Sequence, residues 1–221
     1  MAVSFDLFET LVTAEKPEDP AAAVARALAA RGVSVPDDWE TRYARAHIDA
    51  PEGVEVALDE HVCAALLSAA ESTQSEAAID REGVREAVVA AFDPVVETRP
   101  DAREAVDAVR ERGHRVAICS NCSVPGLVER TLARSRLEAE QFDAVVTSVD
   151  CGWRKPAAEI FLETAERLSV DPSALVHVGD DPRTDGGVER VGGTAIGLWE
   201  TPLADLPARL DPDPNPEASD R

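Results

Sequence analysis

The sequence predicts an α/β fold, a doubly wound parallel sheet with an all-helical module inserted after its first strand. Three observations carry that prediction. Ala2 to Phe5 is a short, mostly apolar run that stops abruptly at Asp6, the pattern of a buried parallel strand running out into a loop. From Asp101 onward, strand-like runs alternate with helical ones, as in repeated βα units with right-handed crossovers. Between these stretches, residues 14 to 94 carry helical periodicity alone.

The elements follow in order. Polar, proline-containing Lys16 to Pro20 leads into a helix over Ala21 to Ala30, stopped by Gly32. Pro36-Asp37-Asp38 starts a helix over Trp39 to Ile48, broken by Pro51-Glu52-Gly53. Ala57 to Ala70 places Val62, Leu66 and Ala69 at helical spacing, and Arg81 to Phe92 places Val84, Val88 and Phe92 on one stripe. Pro94 to Arg99 is a return linker. Helices are then expected over Asp101–Arg112, Pro125–Ala133, Pro156–Leu168 (with Pro at its first position) and Asp185–Val191. The intervening strands are Arg115–Cys119, Phe142–Thr147, Leu175–Val178 and Thr194–Leu198. The domains are thus 1–13 plus 95–210 for the α/β core and 14–94 for the helical insert. Residues 211–221, rich in Asp and Pro, are expected to be a disordered tail.

Composition narrows the function classes. The formal net charge is -21, from 43 acids against 22 bases, and only Lys16 and Lys155 are lysines. Such a surface repels phosphate backbones and anionic lipid, which excludes nucleic acid and membrane as partners. Acid excess with few lysines matches proteins kept in molar salt; GC-rich coding accounts for Arg over Lys but not for the acids. No run of 18 apolar residues and no basic-then-apolar leader is present, so a soluble cytoplasmic protein is expected. Cys119 and Cys122 have C-x-x-C spacing but no second pair or nearby histidines, and read as small core residues.

The polar residues that end the strands carry the chemistry. In an open α/β sheet, ligands bind outside the carboxyl ends of the strands. The first strand delivers Asp6, although an acid there also suits a cap or a turn. The second strand ends in Ser120-Asn121, the third is followed by Gly152-Trp153-Arg154-Lys155-Pro156, and the fourth ends in Gly179-Asp180-Asp181, with Asp185 just beyond. A hydroxyl, a cation and several carboxylates therefore converge on one edge. Facing carboxylates suit a hard divalent cation such as Mg²⁺. A hydroxyl, a lysine and that ion together neutralise a phosphoryl group, and an in-line carboxylate can attack it.

F-D-L-F-E-T-L, I-C-S-N, the lysine of W-R-K-P and V-G-D-D-P-R-T-D stand in order over residues 5 to 185. In these four motifs the chain resembles the haloacid dehalogenase-like hydrolase superfamily, and the insert lies where that superfamily carries helical caps. The resemblance implies a Rossmann-like core and hydrolysis of a small phosphorylated metabolite. It makes Asp6 the nucleophile, forming an aspartyl-phosphate. Ser120, Asn121 and Lys155 would bind the substrate, with Ser120 and Lys155 holding the transferring group. Mg²⁺ would sit on Asp6, Asp180 and the backbone carbonyl of Phe8, supported by Thr10, Asp181 and Asp185. Cap motion about hinges at Thr13–Pro17 and Pro94–Pro100 would gate the site.

One departure separates readings. Phosphatases of this superfamily carry a general acid–base Asp where this chain has Phe8. Glu9 and, more weakly, the insert's Arg45, His47 and His61 are substitutes to consider. An aromatic there, with Ser120-Asn121, is the pattern of the metal-free 2-haloacid dehalogenases. Those enzymes, however, lack acids in the fourth motif and have an arginine soon after the first; here the first arginine is Arg26. Magnesium-dependent phosphatase is therefore the leading expectation. A dehalogenase-type hydrolase and a catalytically weak phospho-ligand-binding protein are the alternatives.

Overall fold

The computed structural model describes residues 1–68, 79–93 and 95–210. Five strands form a parallel sheet in the order β5-β4-β1-β6-β7: β1 (Ala2–Phe5), β4 (Arg115–Ser120), β5 (Ala144–Thr147), β6 (Leu175–Gly179) and β7 (Thr194–Gly197). The first strand is central because it is buried on both faces and both neighbours. Phe5 pairs with Ile118 on one side and Val178 on the other, and Val3 and Phe5 are fully buried. Helices α5 (Ala102–Glu111), α6 (Leu127–Arg134) and α8 (Ala158–Arg167) connect the strands. Short helices stand at α7 (Ser148–Cys151), α9 (Pro182–Asp185) and α10 (Leu206–Leu210). The expected tail at 211–221 lies outside the described residues.

The insert holds α1 (Pro20–Ala29), α2 (Trp39–Tyr43), α3 (Leu58–Leu67) and α4 (Arg81–Ala91). Val24 and Leu28 of α1, Val62 and Leu66 of α3 and Val84 and Val88 of α4 belong to one apolar cluster, continuous with Leu7, Leu11 and Val12 beneath. Trp39 is buried there, its indole N–H donating to the Ala21 carbonyl at 2.8 Å. Trp153 is half-buried.

Three expectations need correction. The stretch expected as a return linker holds β3 (Val96–Thr98), which pairs antiparallel with β2 (Val12–Ala14), Val12 opposite Thr98, so both chain crossings form one ribbon. These strands are three residues long, too short for alternation to show in sequence. The helix expected to Ile48 ends at Tyr43, because two imidazoles take its last carbonyls. His47 Nε2 lies 2.8 Å from the Arg42 oxygen and His61 Nε2 2.8 Å from that of Tyr43. The helix expected to open with Pro156 begins at Ala158. Lys155-Pro156 is a cis peptide within a turn that the Ala157 N–H closes onto the Arg154 carbonyl at 2.8 Å.

Candidate active site

The carboxyl edge of the sheet gathers the strand-end residues into one cleft of about 440 Å³ beneath the helical insert. Asp6 leaves β1 directly above it, and its N–H donates to the Val178 carbonyl at 2.9 Å. The chain then turns tightly: the Leu11 and Val12 N–H groups both donate to the Leu7 carbonyl, at 2.9 and 3.0 Å. The turn needs Glu9 at φ +62°, left-handed backbone for a non-glycine residue, and Arg99 Nη1 donates to its carbonyl. Phe8 and Glu9 line the cleft, with Leu58 and Phe92 of the insert and Val124 and Leu127 of the core.

Asp6 is the focus. Ser120 Oγ donates to its Oδ1 at 2.8 Å, and Lys155 Nζ stands 3.0 Å from the same oxygen. Lys155 is buried and reaches Asp185 Oδ1 at 2.6 Å. Burial alone would lower the ammonium's pKa, but Asp6 and Asp185 more than reverse that and hold it above its ordinary value. Asp185 is likewise opposed by burial, yet its two cationic or donating neighbours keep it well below the usual carboxylate range. Its Oδ2 accepts the Asp181 N–H at 3.0 Å. Gly179 makes room for this carboxylate, since a Cβ there would fall 2.0 Å from Asp185 Oδ2.

Asp180 stands at the cleft mouth, its Oδ1 accepting from buried Thr10 Oγ1 at 3.1 Å. Its pKa is raised, first by desolvation and then by the charge of Asp6. Asp6, Asp180 and Asp185 each offer an oxygen within 4.8 Å of the others, a geometry suited to a cation. Asp185 is already occupied on both oxygens, so Asp6 and Asp180 are the members with coordination to spare.

Two expected site residues are engaged elsewhere. The Asn121 amide lines the cleft but is held by the backbone of Lys155, accepting from its N–H at 2.8 Å and donating to its carbonyl at 3.0 Å. The Asp181 carboxylate caps α9 and pairs with Arg183, leaving only its N–H for Asp185. Neither His47, His61 nor Arg45 lines the cleft. Cys119 is fully buried, which pushes its thiol up to about 12, the mark of an inert core sulfur.

No motif in the sequence marks His177. It is fully buried in β6, with Nε2 3.1 Å from Asp185 Oδ1 and 3.4 Å from Lys155 Nζ, and Nδ1 2.9 Å from Ser4 Oγ. Desolvation, then Lys155, lowers its pKa, so the ring is neutral. A carboxylate can only accept, which assigns the ring proton to Nε2 and leaves Nδ1 to accept from Ser4. The one available signal was a polar residue inside the otherwise apolar Leu175–Gly179 run.

Comparison with known proteins gives the chain's family. A family model described as haloacid dehalogenase-like hydrolase matches residues 1–187. A ribulose-1,5-bisphosphate 5-phosphatase of Halopiger xanaduensis is 34% identical over 110 residues, covering 48% of this chain and 41% of that protein. Hexitol phosphatase B of Escherichia coli is 35% identical over 104 residues, covering 45% and 46%. The chain thus spans less than half the length of these two relatives. A solved structure of a 2-haloacid dehalogenase from Pseudomonas syringae superposes with a TM-score of 0.59 at 25% identity, covering 89% of this chain and 86% of that one. The chain belongs to the haloacid dehalogenase-like hydrolases.

Proposed function

We propose that this haloacid dehalogenase-like hydrolase is a Mg²⁺-dependent phosphatase acting on a small phosphorylated metabolite through an aspartyl-phosphate at Asp6. The observation that carries the reading is the convergence of Ser120 Oγ and Lys155 Nζ on Asp6 Oδ1, with Asp180 facing them across the cleft. Donors at that distance from the carboxylate are also within reach of oxygens on a phosphorus bonded to it. Asp6 attacks the phosphorus, the bond to the leaving oxygen breaks, and Ser120 and Lys155 bear the charge gathered on the phosphoryl oxygens. Water then attacks the same phosphorus, releasing Asp6 and giving its proton to the phosphate product or to solvent.

The donor set fits the cation that the family implies. Asp6 and Asp180 face one another with Lys155 shared between Asp6 and Asp185, and desolvation, then the charge of Asp6, raises the pKa of Asp180. Asp6, Asp180 and the Phe8 carbonyl would hold Mg²⁺, which would supply charge neutralisation of the phosphoryl group. The helical insert over the cleft serves as the cap, and the acidic surface suits a high-salt cytoplasm.

Phe8 and Ser120-Asn121 favour a second reading, displacement of halide from a 2-haloacid, and a dehalogenase is among the structural relatives. That chemistry has no use for Asp180, a carboxylate placed with Asp6 where a cation could bridge the two. Hydrolysis of p-nitrophenyl phosphate and acetyl phosphate in molar KCl, with and without Mg²⁺, separates the readings. Turnover that requires Mg²⁺ and disappears in Asp6→Asn is expected. Metal-independent halide release from 2-chloropropionate, with no phosphatase turnover, would replace this reading with the second.

A further inference from the structure

Away from the reacting groups, a second buried carboxylate joins the insert to the core. Glu55 lies in the segment between α2 and α3, yet its side chain is only 2% exposed. Its Oε1 accepts from Ser123 Oγ at 3.0 Å and from Val56 N–H at 3.1 Å. Arg154 Nη1 stands 3.0 and 2.9 Å from its two oxygens, and Ser148 Oγ donates to Oε2. Backbone bonds surround this knot: Glu55 N–H to Gly152 carbonyl and Arg154 N–H to Gly53 carbonyl, both 2.8 Å, and Leu58 N–H to Ser123 carbonyl at 2.8 Å. Ser148 Oγ also accepts the Cys122 N–H at 2.9 Å.

The two core loops tied in this way are 120–123, which carries Ser120, and 152–155, which carries Lys155. A buried carboxylate with one cationic partner is costly unless its lone pairs are all met, and here a single side chain meets donors from both loops. Any movement of Glu55 would break its bonds to Ser123 and Arg154 together, and Lys155 is the residue after Arg154.

We propose that Glu55 is a positioning residue: docking of the 53–58 segment through this carboxylate fixes the 152–155 loop so that the Lys155 ammonium stays buried between Asp6 and Asp185. The insert is then a structural part of the lysine's site as well as a cover. This goes beyond the phosphatase reading and stands or falls apart from it.

The chain offers a direct probe, because its only lysines are exposed Lys16 and buried Lys155. Native protein is treated with an amine-reactive succinimidyl ester and the modified lysines are identified by mass spectrometry. Wild type should label at Lys16 with Lys155 protected. Glu55→Gln and Arg154→Gln should each raise Lys155 labelling roughly tenfold or more, while Glu52→Gln, an exposed neighbour, should not. Cys119 reports global opening: it should remain closed to a thiol reagent in all variants. If Glu55→Gln unfolds the chain, Cys119 becomes reactive, and the Arg154→Gln variant and the milder Ser123→Ala carry the test. Lys155 protected in folded Glu55→Gln and Arg154→Gln would overturn the proposal, as would Lys155 and Cys119 opening together in every variant that disturbs the knot.

Discussion

The Asn121 side chain takes both backbone polar groups of Lys155, donating to its carbonyl at 3.0 Å and accepting from its N–H at 2.8 Å. The amide therefore works on the loop that carries the lysine, and its expected effect is on the placement of the ammonium. Asn121→Ala should lower kcat on p-nitrophenyl phosphate by about 10²-fold, the scale of a misplaced catalytic group, with KM little changed. Asn121→Asp keeps one acceptor and loses the donor to the Lys155 carbonyl, so an intermediate loss is expected. A rise in KM at constant kcat would instead mean that the amide binds substrate.

Gly179 and Asp185 make a similarly direct test. A methyl on Gly179 would fall 2.0 Å from Asp185 Oδ2 and 2.8 Å from its Cβ, so the helix carrying Asp185 must shift. Gly179→Ala should cost roughly 1–3 kcal/mol in urea unfolding, the ordinary range for overpacking. Because Asp185 holds Lys155, activity per folded molecule should fall as well, by roughly tenfold or more. Stability loss without loss of specific activity would separate Asp185 from the lysine's function.

Asp93 links the insert to α6 through Arg130 Nη2 at 2.9 Å and Arg134 Nη2 at 2.7 Å. Hydrogen bonds from Arg134 and then Arg130 hold its carboxyl below the usual range. A depressed folded pKa gives stability that is present above the unfolded value of about 3.9 and is lost as pH falls through the folded value. With the arginines 48% and 42% exposed, the contribution is roughly 0.5–1 kcal/mol. Asp93→Asn should lower the urea midpoint at pH 7, and the difference should vanish well below pH ~4. Potassium chloride should act in opposite senses on two quantities. Whole-protein stability should rise as the net charge of -21 is screened, while the Asp93→Asn difference shrinks.

Legibility followed the strand ends. Asp6, Ser120 and Asp180 each terminate an apolar run, so a parallel sheet brings them to one edge without further information, and Lys155 sits between a strand and a helix. What escaped was set by tertiary neighbours. Nothing local distinguishes His177 from a tolerated polar residue in a strand; its role arises because β1 brings Ser4 to one ring nitrogen and α9 brings Asp185 to the other. Glu55 looks like one acid among many until Ser123, Ser148 and Arg154, all distant in sequence, close on it. The β2–β3 ribbon pairs residues more than 80 positions apart, and its three-residue strands carry no period of their own.

Phe8 carries the last prediction. Phe8 lines the cleft two residues beyond Asp6, where its ring can neither give a proton to a departing oxygen nor take one from water. Among the described residues lining the cleft, the carboxylates other than Asp6 and Asp180 are Glu9 and Glu15, both exposed to solvent. The leaving group should therefore depart as an anion. For a series of substituted phenyl phosphates, kcat/KM should fall steeply as the phenol becomes a weaker acid. Phe8→Asp should flatten that slope and raise kcat/KM on glycerol phosphate by roughly 10²- to 10⁴-fold, leaving acetyl phosphate almost unchanged. Phe8→Asn controls for the loss of the ring and should reproduce neither effect. A slope already shallow in the wild type would mean that another acid serves; it should then steepen in Glu9→Gln or Glu15→Gln, identifying which one.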